Sequence, residues 1–234
     1  MYHLNFTIIK SSLLILLTCF IHDAYASSPN QQLLLAATHG DLVKVKQLVN
    51  KAKANVNARD TRNQTPLIRA SWKGHIDVAR FLITKKADIN AKDKKGYSAL
   101  MRAAWRGHSE TVKILIDNGA DVNAKNEEDF TALILAAWSG YSDIVRHLLA
   151  AKADPNVQDR APHAGYTALM RAAAHGYRDI VRQLLFREAK VEIKSIDGST
   201  AISLARKGGH TEIIQMLEAV KSGGKGSKNL STFP

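Results

Sequence analysis

The sequence predicts an all-α repeat fold, a solenoid of about six helix-turn-helix units with extended hairpin fingers. Three observations predict it. Glycines 40, 74, 107, 140, 176 and 209 follow one another at intervals of 34, 33, 33, 36 and 33 residues. Nine residues before each of the last five stands a hydroxyl residue: Thr65, Ser98, Thr131, Thr167 and Thr200. Each opens a short apolar run ("TPLI", "SALM", "TALI", "TALM", "TAIS"), and "ADINAK", "ADVNAK" and "ADPNVQ" recur further on. Self-similarity at this period marks a stack of like units, none of which can bury its apolar face alone.

The local chemistry supports each element. Thr65 is a suitable N-cap and Pro66 suits the first helical position. Leu67 and Ala70 continue at helical spacing, and Gly74 ends the short helix because it enters the left-handed region cheaply. The second helix of each unit carries an acid near its start (Asp77, Glu110, Asp143, Asp179, Glu212), which complements the helix dipole. Its apolar stripe reads Val78, Phe81, Leu82 in one unit and Val112, Leu115, Ile116 in the next. The residue two before each capping hydroxyl is Asn63, Gly96, Asp129, Gly165 or Gly198, all types that tolerate positive φ.

Taken together, these motifs resemble the ankyrin repeat, D-x-x-G-x-T-P-L-H…G-H-x-x-I/V-x-x-L-L…G-A-D-x-N-A. The resemblance covers about 190 residues in register. It departs from the pattern at the histidine after T-P-L, where this chain has Ile68, Met101, Ile134, Met170 or Ser203. The resemblance implies an ankyrin solenoid, a scaffold whose inner helices and fingers form a concave binding face. It also implies a structural role for His75, His108 and His210, which follow repeat glycines.

Units are expected at 27–59, 60–92, 93–125, 126–158, 159–194 and 195–220. The first opens on Gln31-Gln32 in place of Thr-Pro, as a polar cap would. The fifth finger, "DRAPHAGY", holds three extra residues and reads as a tolerated insertion, with a protruding contact as its alternative. Residues 221–234 lack periodicity and read as a flexible basic tail. Residues 1–26 have signal-peptide grammar: Lys10, an apolar run of about ten residues, and Ala24-Tyr25-Ala26 as a small-x-small cleavage site. Export is therefore expected, to a periplasm first and the extracellular medium second. Cys19, the sole cysteine, falls within that segment, so the mature chain would rely on its core without disulfides.

Catalytic grammar is missing: no phosphate-binding glycine loop, no H-E-x-x-H and no nucleophile elbow. Equivalent histidines in neighbouring units would sit one helix spacing apart, about 8–10 Å, which is too far to share one metal ion. No enzyme activity, cofactor, metal or small-molecule substrate is expected.

The formal net charge is +12, distributed unevenly. The six units carry +4, +4, +2, −3, +3 and −1, and the tail +3. Two residues before the repeat glycine the last five units read Trp72, Trp105, Trp138, Ala174, Lys207. One before, they read Lys73, Arg106, Ser139, His175, Gly208; five before, Arg69, Arg102, Leu135, Arg171, Leu204. The resemblance places the first two rows in the groove. Tryptophan and arginine are enriched at binding hot spots, and a requirement of the core would not lapse to Ala174 and Lys207. The expected site is Arg69, Trp72, Lys73, Arg102, Trp105, Arg106 and Trp138, on the concave face of units two to four. The arginines and Lys73 would attract an acidic protein surface and the tryptophans would supply contact area. The alternative for the tryptophans is an inner core in which they pack on one another. Alternative functions are a secreted effector that holds a host protein and, more remotely, a charge-driven binder of nucleic acid or membrane surface. Nucleic acid is not expected, given export and the acidic fourth unit. A monomer is expected.

Overall fold

The computed structural model describes residues 28–160 and 165–223. The expected signal peptide, residues 161–164 of the fifth finger and residues 224–234 of the tail lie outside the described residues. Twelve helices pair into six units: α1 (Pro29–His39) with α2 (Leu42–Asn50), α3 (Pro66–Lys73) with α4 (Ile76–Thr84), and α5 (Ala99–Arg106) with α6 (Ser109–Asp117). Then come α7 (Ala132–Ser139) with α8 (Ser142–Ala150), α9 (Ala168–His175) with α10 (Arg178–Phe186), and α11 (Ala201–Gly208) with α12 (Thr211–Gly223). Odd-numbered helices stack on odd and even on even, which builds an inner and an outer layer. The core runs between them without a break, through Leu67, Leu100, Leu133 and Leu169 on the inner layer and Leu82, Leu115, Leu148 and Leu184 on the outer.

Each inner helix from α3 onward begins as expected. The hydroxyls of Thr65, Ser98, Thr131, Thr167 and Thr200 accept from the backbone N–H three residues on, filling one of the vacant donors at the helix start. The departures from the T-P-L-H pattern fall inside: Ile68, Met101, Ile134 and Met170 are buried core. Ser203, in the last unit, closes a capping box with Thr200. The first unit differs from expectation. Its cap is Ser28 with Pro29 behind it, and Gln31 completes the capping box, so α1 is a turn longer than the other inner helices. The final helix runs to Gly223, past the expected boundary at 220.

Every inner helix ends on a left-handed glycine, and against each of these except Gly209, the last, lies a ring from the next unit. A Cβ added to Gly74 would meet His108 Nδ1 at 2.5 Å, and one on Gly107 would meet the Tyr141 ring at 2.6 Å. The imidazoles are pinned: His75 Nε2 is 3.0 Å from the Thr38 carbonyl, His108 Nε2 2.9 Å from that of Trp72 and His210 Nε2 3.2 Å from that of Ala174. The structural role expected of these histidines thus has a geometric basis. A second joint runs along the outer loops. Asn57, Asn90, Asn123 and Asn156 each accept, through Oδ1, the N–H of Asp88, Asp121, Asp154 and Lys190 in the following unit.

The fingers are closed hairpins. Asp60, Asp93 and Asn126 donate their N–H to the carbonyls of Gln64, Tyr97 and Phe130. Asp159 donates likewise to Tyr166, so the three extra residues enlarge the loop and leave its closing bond intact. The expected positive-φ residues have it: 62° at Asn63, 78° at Gly96, 56° at Asp129, 60° at Gly165 and 79° at Gly198.

The turn after each of the first five outer helices is also left-handed, at Lys53, Lys86, Gly119, Lys152 and Glu188. Only one of these is glycine, so four units hold a side chain in a region that disfavours it. Two substitutions should therefore move stability in opposite directions. Gly74→Ala, which drives a methyl into a pinned imidazole, is expected to destabilise by about 2 kcal/mol. Lys86→Gly, at φ 65°, is expected to stabilise by about 0.5 kcal/mol. Urea-unfolding midpoints compare them directly.

Candidate functional site: a basic, aromatic groove

The groove is lined by the inner helices and the fingers. Arginine five residues before the repeat glycine points back to the acid that opens its own finger. Arg69 Nη2 lies 2.6 Å from Asp60 Oδ2, Arg171 Nη2 2.7 Å from Asp159 Oδ2, and Arg102 pairs likewise with Asp93. The other oxygen of each acid organises the finger. Asp60 Oδ1 accepts from the N–H groups of Arg62 and Gln64, and Asp93 Oδ1 from those of Lys95 and Tyr97. One carboxylate thus shapes a turn and clamps it to a helix.

Arg69 and Arg102, grouped in the sequence reading with the cations that attract a partner, are ion-paired within the fold to Asp60 and Asp93. Arg102 is buried, with 6% of its surface exposed. Its guanidinium lies 3.9 Å from the Tyr97 ring centre and 4.3 Å from that of Trp72, in contact with both. Arg171 repeats the arrangement, 4.4 Å from the ring centre of Trp138 and 4.7 Å from that of Tyr166. A tryptophan from one unit and an aromatic from the next finger therefore hold the arginine of the next unit by cation–π contact.

The tryptophans are neither a sealed column nor fully open. Trp72 and Trp105 touch at a tilt, with ring centres 6.1 Å apart. Trp105 stacks on Tyr97 and Trp138 on Phe130. Trp72 is partly buried, whereas Trp105 is 38% and Trp138 37% exposed. Trp105 faces a unit that has Leu135 where its neighbours have arginine, so no arginine of the following unit covers it. Lys73 and Arg106 are exposed and carry no ion pair among the described residues, as are the fingertip cations Arg62, Lys94 and Lys95. Two adjoining hollows lie among them. One, of about 290 Å³, is lined by Thr38, Arg69, Trp72 and Lys73; the other, about 410 Å³, by Trp72, Tyr97, Arg102, Trp105, Lys94 and Lys95. Arg62 and Gln64 border both.

Sequence reasoning missed the finger acids Asp60, Asp93 and Asp159 and the finger aromatics Tyr97, Phe130 and Tyr166. The signal for them exists. Where arginine gives way to Leu135 and Leu204, the finger acid gives way to Asn126 and Ser195. The pair is kept or lost together, because either partner alone would be a buried unpaired charge.

Among the described residues no group of three or more His, Cys, Asp or Glu could hold a metal ion, and no helix is long and apolar enough to cross a membrane. Family models match the chain in three stretches. One described as ankyrin repeats (3 copies) matches residues 10–93 and 88–159, and one described as ankyrin repeat matches 164–196. The first stretch begins inside the segment that reads as a signal peptide. No curated protein matches the chain.

Two measurements test the clamp. Asp93→Asn alone should destabilise by about 3 kcal/mol, since it strands Arg102. Asp93→Asn combined with Arg102→Leu, the pair that unit four uses, should recover at least about 1 kcal/mol of that loss, as a double-mutant cycle in urea would show. The second is acid unfolding. Burial pushes the Asp60 carboxyl up, but the Arg69 hydrogen bond and the N–H groups of Gln64 and Arg62 outweigh it and hold the group below its ordinary value of 3.8. A lowered folded pKa contributes stability that is full above the unfolded value and lost as pH falls through the folded one. The stability gap between wild type and Asp60→Asn should therefore narrow as pH falls below the ordinary carboxylate range.

Proposed function

We propose, from the premise that this chain belongs to the ankyrin-repeat family, that it is an exported binding module which holds a partner protein on the concave face of units two to four. Ankyrin repeats mediate protein–protein interaction and are typically non-enzymatic. The observation that carries the reading is the pair Trp105 and Trp138. Each leaves more than a third of its surface in water, in a groove that could have been lined with small residues. Solvent-exposed tryptophan flanked by unpaired cations is what a hot spot offers a partner. Lys73 and Arg106 supply the attraction to an acidic surface, while Arg69 and Arg102 act from beneath by fixing the fingers and Trp72. Fold alone does not choose the ligand, so the reading rests on these exposed side chains. Export, to a periplasm, is supported by the leader grammar of residues 1–26.

The test is co-purification from native cells with the tagged full chain, beside a variant carrying Trp105→Ala and Arg106→Glu. Trp105→Ala also removes the stack on Tyr97, so binding is compared at a temperature where the melt of the variant shows it folded. A partner held by wild type should bind the variant at least about 30-fold more weakly. Equal recovery of the same partner by both chains overturns the groove reading. Cell fractionation tests export separately.

A further inference from the structure

The fingertips form a charged ruler. Lys94 N–H donates to the Arg62 carbonyl at 2.9 Å, Glu127 N–H to that of Lys95 at 3.2 Å and Arg160 N–H to that of Glu128 at 2.7 Å. Neighbouring tips are thus tied main chain to main chain, which fixes the spacing of the charges they carry. Along this ladder the free charge is positive at Arg62, positive at Lys94 and Lys95, then negative at Glu127 and Glu128; all five side chains are exposed and carry no ion pair among the described residues. Beyond them the Arg160 charge is taken up by Asp129, at 2.5 Å. The sign therefore inverts once, between the third finger and the fourth.

Below the ladder on its positive side are the two adjoining hollows, floored by Trp72 and Trp105. Their volumes, about 290 and 410 Å³, suit single side chains rather than a broad protein surface. The one acid on their walls, Asp93, is already spent on Arg102, and Arg69 is paired with Asp60, so the free charged groups facing an occupant there, Arg62, Lys73, Lys94 and Lys95, are cationic.

Resting on the groove reading above, we infer that the occupant is one extended segment of the partner with a bipolar charge pattern. Acidic side chains face Arg62, Lys94 and Lys95, an aromatic or leucine side chain packs onto Trp72 and Trp105 in the hollow they line, and a basic side chain faces Glu127 and Glu128. Stacked units lie about 10 Å apart and an extended chain advances about 3.3 Å per residue. The register is therefore acid, a second acid about three residues on, and a base about three residues beyond that, with the apolar residue among the acids. The negative fourth finger disfavours a uniformly anionic polymer, such as a nucleic acid, lying along the whole groove.

Selection from random dodecapeptides displayed on phage, against the immobilised full chain at physiological salt, tests this. The enriched peptides should carry the acid, apolar, acid, base order in either chain direction. Lys94→Glu with Lys95→Glu should weaken a synthetic copy of an enriched peptide by at least about 10-fold. Glu127→Lys with Glu128→Lys should turn the selected base into an acid. Thermal melts matching wild type show that both variants are folded. No enrichment, enriched peptides without acids, or affinity indifferent to the charge reversals overturns the inference. If peptides fail while a native partner still depends on Trp105, the partner docks by a folded surface: the segment is wrong and the groove stands. If neither depends on Trp105, both fail.

Discussion

The contact between a ring and a glycine of the preceding unit governs the rest of the molecule. His75, His108, Tyr141, Tyr177 and His210 lie on Gly40, Gly74, Gly107, Gly140 and Gly176 so closely that a methyl group has no room. Each contact brings two inner helices together at the same offset. Where the ring is imidazole, it also satisfies a carbonyl left over at the end of the earlier helix. Leucines from successive units then meet in one continuous core, and the asparagine bonds along the outer loops hold the other side of the stack at matching intervals. Since no unit can bury its apolar face alone, anything that alters this spacing acts on both neighbours.

Within that spacing, the finger acid decides which charges belong to the fold and which remain for other molecules. A carboxylate that accepts two backbone N–H groups and an arginine is fully occupied, and the arginine is spent with it. Two ring contacts on each guanidinium complete the arrangement around Arg102 and Arg171. The groove therefore has two strata. The lower is neutral, aromatic and structural, and the upper holds Lys73, Arg106 and the fingertip charges. Trp72 belongs largely to the lower stratum. Trp105 and Trp138 belong to both, each with a ring face packed on its finger aromatic and over a third of the residue in water.

Much of the fold was legible because its signals are local. A capping hydroxyl, a terminal glycine and a turn residue with positive φ each act within a few residues of themselves, and each appears where the spacing put it. The start of α1 was misplaced because Ser28-Pro29 lies three residues outside the period that the other units obey. The site was only half legible. Rows read down the repeat identify which residues share a face, but they do not say what lies opposite. Whether Arg102 is free depends on Asp93 nine residues earlier, on Tyr97 in the finger and on Trp72 in another unit. The joint replacement of Asp and Arg by Asn126 and Leu135 carried that information, and only a comparison of two rows at once exposes it.

The tryptophan row has an optical consequence. The chain contains three tryptophans, and all three lie in the groove. The protein's tryptophan emission thus originates from one surface on units two to four, and the last two units hold no tryptophan. Trp72 and Trp105 are within contact of each other and close enough to exchange excitation, while Trp138 reports from the next inner helix, where it stacks on Phe130. An occupant that dries the groove would shift that emission to the blue without any label attached, whereas unravelling of the last two units would act on it only through Trp138, from which it would lift Arg171. The same side chains that the fold leaves half in water make the molecule a spectroscopic gauge of its own groove.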